Sequence, residues 1–220
     1  MNNSIIKSNI MKTRIFNLII IDESGSMECI KQYAINSVNE TIQTIRAAQK
    51  RNENQDHFVS LVSFNDNVKT IHDCVAINQV TELNDKTYQP NCCTALHDAM
   101  GLSLNALRKR VTDEDNVLVT VVTDGCENAS REYSDKAIKA LVEELKEKGW
   151  VFAYIGANHD VEAAASSIAI ENTMSFEATD EGVVEMSYSL NRCCESWYDS
   201  IEDNSADSKM ANRNFFSEFI

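Results

Sequence analysis

IFNLIIIDESGSM, residues 15–27, is the stretch on which the fold turns. Its first seven residues, Ile15 to Ile21, are nearly continuous apolar and rich in β-branched side chains. Such a run reads as a strand covered on both faces, as in a parallel sheet packed between helices. It ends abruptly in the polar loop Asp22-Glu23-Ser24-Gly25-Ser26, where Gly25 lets the backbone bend without a Cβ clash. Beyond the loop, Ile30, Ala34, Ile35, Val38, Ile42, Ile45 and Ala48 recur at three- and four-residue intervals. That spacing predicts an amphipathic helix to about Lys50, and so a first strand–loop–helix unit.

The same alternation continues outward. Phe58 to Phe64 reads as a second strand, and Val68 to Val75 as a third. The turn signal Asn65-Asp66-Asn67 between them makes the pair antiparallel neighbours. A loop from Asn84 to Cys93 holds the only proline, and Thr94 to Arg110 has helical spacing with Thr94 placed to cap it. Val117 to Val122 is a fourth strand ending in Thr123-Asp124-Gly125. Ser134 then caps a helix that Gly149 ends, and Trp150 to Ile155 is the fifth strand. Asp160 caps a short Ala-rich helix to about Ala169, Thr173 to Phe176 makes a last strand, and Glu181 to Tyr198 a closing helix. In that helix Val184, Tyr188, Leu190 and Trp197 are expected to face inward. The pattern predicts an α/β, Rossmann-like, doubly wound and mostly parallel sheet with one antiparallel edge strand and helices on both faces.

The chain has 220 residues, 43% of them hydrophobic and 25% charged, as expected of one soluble globular domain. An N-terminal extension is expected over residues 1–13, the domain over 14–199, and an acidic and aromatic tail over 200–220. Between Glu195 and Asp207 there are five acidic residues and no basic one, which reads as a loose segment. Phe215, Phe216 and Phe219 beyond it would dock on the domain or on a partner. The net charge of −14 argues against nucleic acid as a partner and favours a hard cation or a basic surface. No apolar run reaches the roughly 18–20 residues a bilayer span needs. The N-terminus also lacks the pattern of a signal peptide, so a cytoplasmic location is expected. Seven cysteines, an odd number without a CxxC pair, suggest reduced, buried thiols. A zinc site from Cys92, Cys93 and His97 has no second paired cluster to support it.

In a parallel α/β sheet ligands sit beyond the carboxyl ends of the strands, where strand order reverses. Three polar clusters fall at that edge: residues 22–26, Thr94, and residues 123–125. They deliver two carboxylates, Asp22 and Asp124, and three hydroxyls, Ser24, Ser26 and Thr94. An all-oxygen set suits a hard divalent cation, which two carboxylates neutralise while hydroxyls fill part of the shell. An ion so held can accept one further oxygen, such as a carboxylate from a partner's Asp or Glu. Glu23, Asp98, Gly125 and Glu127 lie next to these positions and could line the rim or tune the site. Each cluster alone has a structural reading, as a helix cap or an Asx turn.

Together, Asp22-Glu23-Ser24-Gly25-Ser26-Met27, the stretch Thr94-Ala95-Leu96-His97-Asp98-Ala99, and Thr123-Asp124-Gly125 resemble the three segments of the von Willebrand factor A (vWA) domain. The resemblance covers roughly residues 14 to 199. It implies a metal-ion-dependent adhesion site (MIDAS) in which residues matching Asp22, Ser24, Ser26, Thr94 and Asp124 bind Mg2+ or Mn2+, with Ca2+ as an alternative. It also implies a non-enzymatic module that binds an acidic group of a partner protein. One departure is visible: relatives often have Gly just before the Thr, whereas Asn91-Cys92-Cys93 stand here. Two other readings compete. One is a structural component of a larger assembly, such as a phage or secretion machine. The other is a Mg2+-dependent hydrolase or phosphotransferase. Against catalysis, there is no GxxxxGK[ST] or GxGxxG loop, and Ser24 stands where a HAD-type phosphatase would carry its second Asp.

Overall fold

The computed structural model describes residues 12–157, 159–202 and 215–216. Strands β1 (Thr13–Asp22), β2 (Gln55–Phe64), β3 (Val68–Ala76), β4 (Asn116–Thr123), β5 (Val151–Gly156) and β6 (Thr173–Ser175) form one sheet in the order β3-β2-β1-β4-β5-β6. All neighbours are parallel except β2 and β3, so the antiparallel strand lies at one edge, as the sequence predicts.

Alternate residues of β1 enter two separate cores. Ile15, Ile19 and Ile21 face helices α1 (Lys31–Arg51) and α5 (Asp180–Glu202). Phe16, Leu18 and Ile20 face α2 (Leu96–Leu107), α3 (Asp135–Glu147) and α4 (Val161–Ser167). This is why the run around β1 is apolar at nearly every position. Asn17 is the exception, and Tyr198 of α5 donates its hydroxyl to Asn17 Oδ1 at 2.7 Å. All seven apolar residues that predicted the first helix are buried. Ser134 and Asp160 cap α3 and α4 by accepting from Ala137 N and Ala163 N.

Four expectations change. Thr94 does not cap α2, which starts two residues later with Ala95 at its N-cap and no side-chain bond there. The helix α5 continues to Glu202, so the acidic stretch from Glu195 begins on a helix and not in a loose segment. Within α5, Leu190 and Trp197 are buried as expected, but Val184 and Tyr188 are 59% and 65% exposed. Val183, Met186, Cys193 and Cys194 take the inward places, a stripe one residue out of phase with Val184 and Tyr188. Finally, only Cys193 and Cys194 of the seven cysteines are buried; Cys29, Cys92, Cys93 and Cys126 are exposed. Phe215 and Phe216 pack into the α1/α5 core, and Phe215 N donates to Asn172 Oδ1; Phe219 lies outside the described residues.

Candidate metal centre

From β1 the sheet grows through β2 and β3 on one side, and from β4 through β5 and β6 on the other. The order therefore reverses between β1 and β4, where a crevice opens at the carboxyl ends. Ile21 pairs with Val122, which sets Asp22 beside Thr123 at the head of that crevice. Asp22 is fully buried; its Oδ1 accepts from Ser24 N at 2.7 Å and its Oδ2 from Thr123 Oγ1 at 2.5 Å. Ser24 Oγ lies 3.2 Å from Ser26 Oγ, and Ser26 Oγ donates to Asp124 Oδ1 at 2.6 Å. A hydroxyl has one proton. Ser26 gives its proton to Asp124, so Ser24 is the donor in the Ser24–Ser26 contact. One hydrogen-bonded chain thus runs from Ser24 through Ser26 to Asp124. Asp124 Oδ2 is buried and has no hydrogen-bond partner.

Thr94 joins this group from a separate loop. A Cβ built on Gly125 would lie 3.7 Å from Thr94 Oγ1 and 3.9 Å from Ser26 Oγ, so both hydroxyls border the residue after Asp124. The Thr94 backbone is held on both sides, its N donating to Asn128 Oδ1 and its carbonyl accepting from Asn128 N and Ala129 N. Gly25 N donates to Cys92 O, tying the loop before Thr94 to the loop after β1. Cys92 has φ 61°, the left-handed conformation that glycine adopts at least cost. The position therefore demands a backbone shape that this chain provides without a glycine.

The flanking carboxylates are employed in holding these loops. Glu23 accepts from Gln89 N, lies 3.8 Å from Lys69 Nζ, and so pins the segment that leads to Thr94. Glu127 accepts from Ala129 N, Ser130 N, Ser130 Oγ and His97 N. The last of these satisfies an orphan N–H in the first turn of α2, and Ser130 Oγ satisfies that of Asp98. Asp98 in turn accepts from Arg131, Glu132 and Tyr133 N. Burial pushes the Asp98 and Glu127 carboxyls up, but these donors outweigh it and hold both below the usual range. Nothing in the local sequence announces this cap, because its acceptors come from a loop about 30 residues away. Tyr88 is a further residue the sequence reading missed: its buried hydroxyl donates to Asp22 O at 2.5 Å. Burial raises its pKa well above the ordinary value, so it remains a donor.

His159 and Asp160 follow the end of β5, and both are engaged within the protein. His159 bonds Ala157 O and the Tyr154 hydroxyl, and Asp160 caps α4. His97 lies 4.0 Å from both Glu127 and Asp135, beyond hydrogen-bond reach. Among the described residues no three His, Cys, Asp or Glu side chains converge as a metal-binding group, so the zinc alternative finds no support. What converges is two carboxylates and three hydroxyls. Burial pushes the Asp22 carboxyl up against the bonds from Thr123 and Ser24, and the charge of Asp124 pushes it the same way. Two buried carboxylates that repel each other, one with an orphaned oxygen, form an electrostatic deficit that a small cation relieves. The donor set fits Mg2+ or Mn2+.

The family model for the von Willebrand factor type A domain matches residues 18–189. The chain belongs to that family. No curated protein sequence matches the chain. Similar solved structures include the PilB minor pilin from Streptococcus sanguinis, at TM-score 0.57 and 12% identity, covering 84% of this chain and 62% of that one. A von Willebrand factor type A protein from Catenulispora acidiphila matches at TM-score 0.54 and 12% identity, covering 81% and 42%. The vWF domain of the type V pili tip protein Mfa5 from Porphyromonas gingivalis matches at 0.53 and 10%, covering 82% and 96%. This chain thus spans less than two thirds of the first two. At these identities the likeness is one of fold.

Proposed function

We propose that the chain is a divalent-metal-dependent protein-binding module, in which Asp22, Ser24, Ser26, Thr94 and Asp124 hold Mg2+ or Mn2+ and the ion grips an acidic side chain of a partner protein. The observation that carries this reading is Asp124 Oδ2, buried without a hydrogen-bond partner in a cluster of carboxylate and hydroxyl oxygens. When bound, the ion supplies a Lewis-acidic position for one external oxygen. The protein residues do the rest. Asp22 is held by Ser24 N and Thr123 Oγ1, Ser26 orients Asp124, and the Asn128 and Glu127 contacts fix Thr94 and the start of α2. Both Asp22 oxygens are engaged inside the protein, which suits a ligand of an ion better than a nucleophile.

A role within a larger assembly is compatible with this chemistry, and two of the similar folds are named as a pilin and a pilus-tip protein. Phe215 and Phe216 do not argue for it, since they are packed on this chain's own core.

The test is to pan a displayed random-peptide library on the immobilised protein in Mn2+ and elute with EDTA. Eluted peptides enriched in Asp or Glu are expected, with no enrichment on the Asp124→Ala protein. Enrichment that resists EDTA, or lacks acidic residues, would count against the mechanism.

A further inference from the structure

Every loop that brings an oxygen ligand to the candidate centre also carries an exposed thiol. Cys29 follows Ser26 by three residues, its Sγ donating to Ser26 O at 3.2 Å. Cys92 and Cys93 directly precede Thr94, and Cys126 follows Asp124-Gly125. All four are exposed. The loops meet: Gly25 N bonds Cys92 O at 3.2 Å, and Gly125 borders both Thr94 Oγ1 and Ser26 Oγ. The three remaining cysteines are elsewhere, Cys74 in β3 and Cys193 and Cys194 inside α5. Free cysteine is ordinarily among the most buried residue types, because it packs as a small hydrophobe. Four exposed thiols gathered on one rim have no packing role.

We propose that this rim is a thiol modification site, taking mixed disulfides from a low-molecular-weight disulfide of the glutathione class. The proposal further holds that the adducts at Cys93 and Cys126 weaken metal binding at the centre beside them. In the step, a cysteine gives up its proton and its sulfur attacks one sulfur of the small disulfide. A new S–S bond forms as the old one breaks, and the departing thiolate takes up a proton. Cysteine and disulfide become mixed disulfide and free thiol, with no other oxidant needed. The adduct is a bulky charged group one residue from Thr94 and two from Asp124, on loops whose backbones are tied to one another. Displacing groups that position metal ligands typically costs about 10–100-fold in affinity. The second half of the proposal rests on the metal-binding reading above; the first half does not.

The experiment treats the reduced full chain with oxidised glutathione, maps adducts by peptide mass spectrometry, and titrates Mn2+ before and after. Mn2+ is the probe because it prefers oxygen and leaves thiols alone. Adducts are expected on Cys29, Cys92, Cys93 and Cys126 and, in the folded protein, not on Cys193 or Cys194. Mn2+ affinity should fall about tenfold, recover with dithiothreitol, and be unaffected by the disulfide in the double variant Cys93→Ser/Cys126→Ser. Rim thiols that stay unmodified, or rim adducts that leave Mn2+ affinity unchanged, would overturn the proposal. A reduced protein that binds no Mn2+ removes the metal centre and the second half with it, while the thiol map still decides the first.

Discussion

Asp124 and His57 are two buried polar residues whose environments lead to opposite predictions. Asp124 leaves Oδ2 without a donor and sits beside the Asp22 charge. In EDTA, Asp124→Asn should therefore unfold in urea at the wild-type concentration or above, because it removes repulsion and no protein contact to Oδ2. A loss of more than about 2 kcal/mol would mean that the carboxylate is structural. His57 is buried at the far end of the same sheet, with Nε2 3.0 Å from Gln55 Oε1 and Nδ1 without a partner. Gln55 Nε2 donates to Tyr198 O, so its Oε1 is the acceptor and His57 Nε2 carries the proton. Protonating Nδ1 would bury an unpaired charge, and burial lowers the pKa to about 4, opposed by the Asp56 charge. The unfolded chain takes up that proton near pH 6.5, before the folded one does. The stability this group contributes is present above pH 6.5 and is lost as pH falls towards 4. Urea unfolding should show about 2 kcal/mol less stability at pH 5 than at pH 7, a difference absent in His57→Gln. The residues of the candidate site were legible in the sequence because carboxylates and hydroxyls ending apolar runs stand out. The Asn17–Tyr198 and Gln55–Tyr198 contacts were not, since they join positions more than 140 residues apart.

The helices differ in how plainly they could be read. Helix α1 carries one uninterrupted apolar stripe, and all its expected inward residues are buried. Helix α5 mixes two stripes, and spacing alone does not say which faces the sheet; contact with α1 and β1 decides for Val183, Met186 and Leu190. Polar replacement of Val184 and Tyr188 should shift stability by no more than about 0.5 kcal/mol, whereas Met186→Ala should cost about 2 kcal/mol or more. Thermal unfolding of the two variants makes the comparison. Helix α2 shows the other kind of illegibility. Thr94 has the residue type of a cap but lies a residue too early, and Glu127 and Ser130 satisfy the first turn from across the crevice. Glu127→Ala should cost about 1–2 kcal/mol, as the loss of a cap does, and should also weaken Mn2+ binding by loosening the loop that holds Thr94. A variant with unchanged Mn2+ affinity would separate the cap from the site.

For the whole molecule, the alternation of apolar strands with amphipathic helices was enough to give a parallel sheet with one antiparallel edge, because each connection admits few arrangements. The reversal of strand order between β1 and β4 then brings residues 101 and 98 positions apart to one crevice, with Thr123 bonded to Asp22 and Ser26 to Asp124. The docking of Phe215 and Phe216 was not legible, since two aromatic residues in a polar stretch fit equally well against the chain itself or a partner. Among the described residues no helix is long and apolar enough to cross a membrane. Calorimetric titration of Mn2+ into the wild type and Asp124→Ala decides whether the oxygen cluster is a metal centre. One site in the wild type, absent in the variant while circular dichroism shows the fold retained, is the predicted result. No heat of binding in the wild type, or equal binding in both, would contradict it.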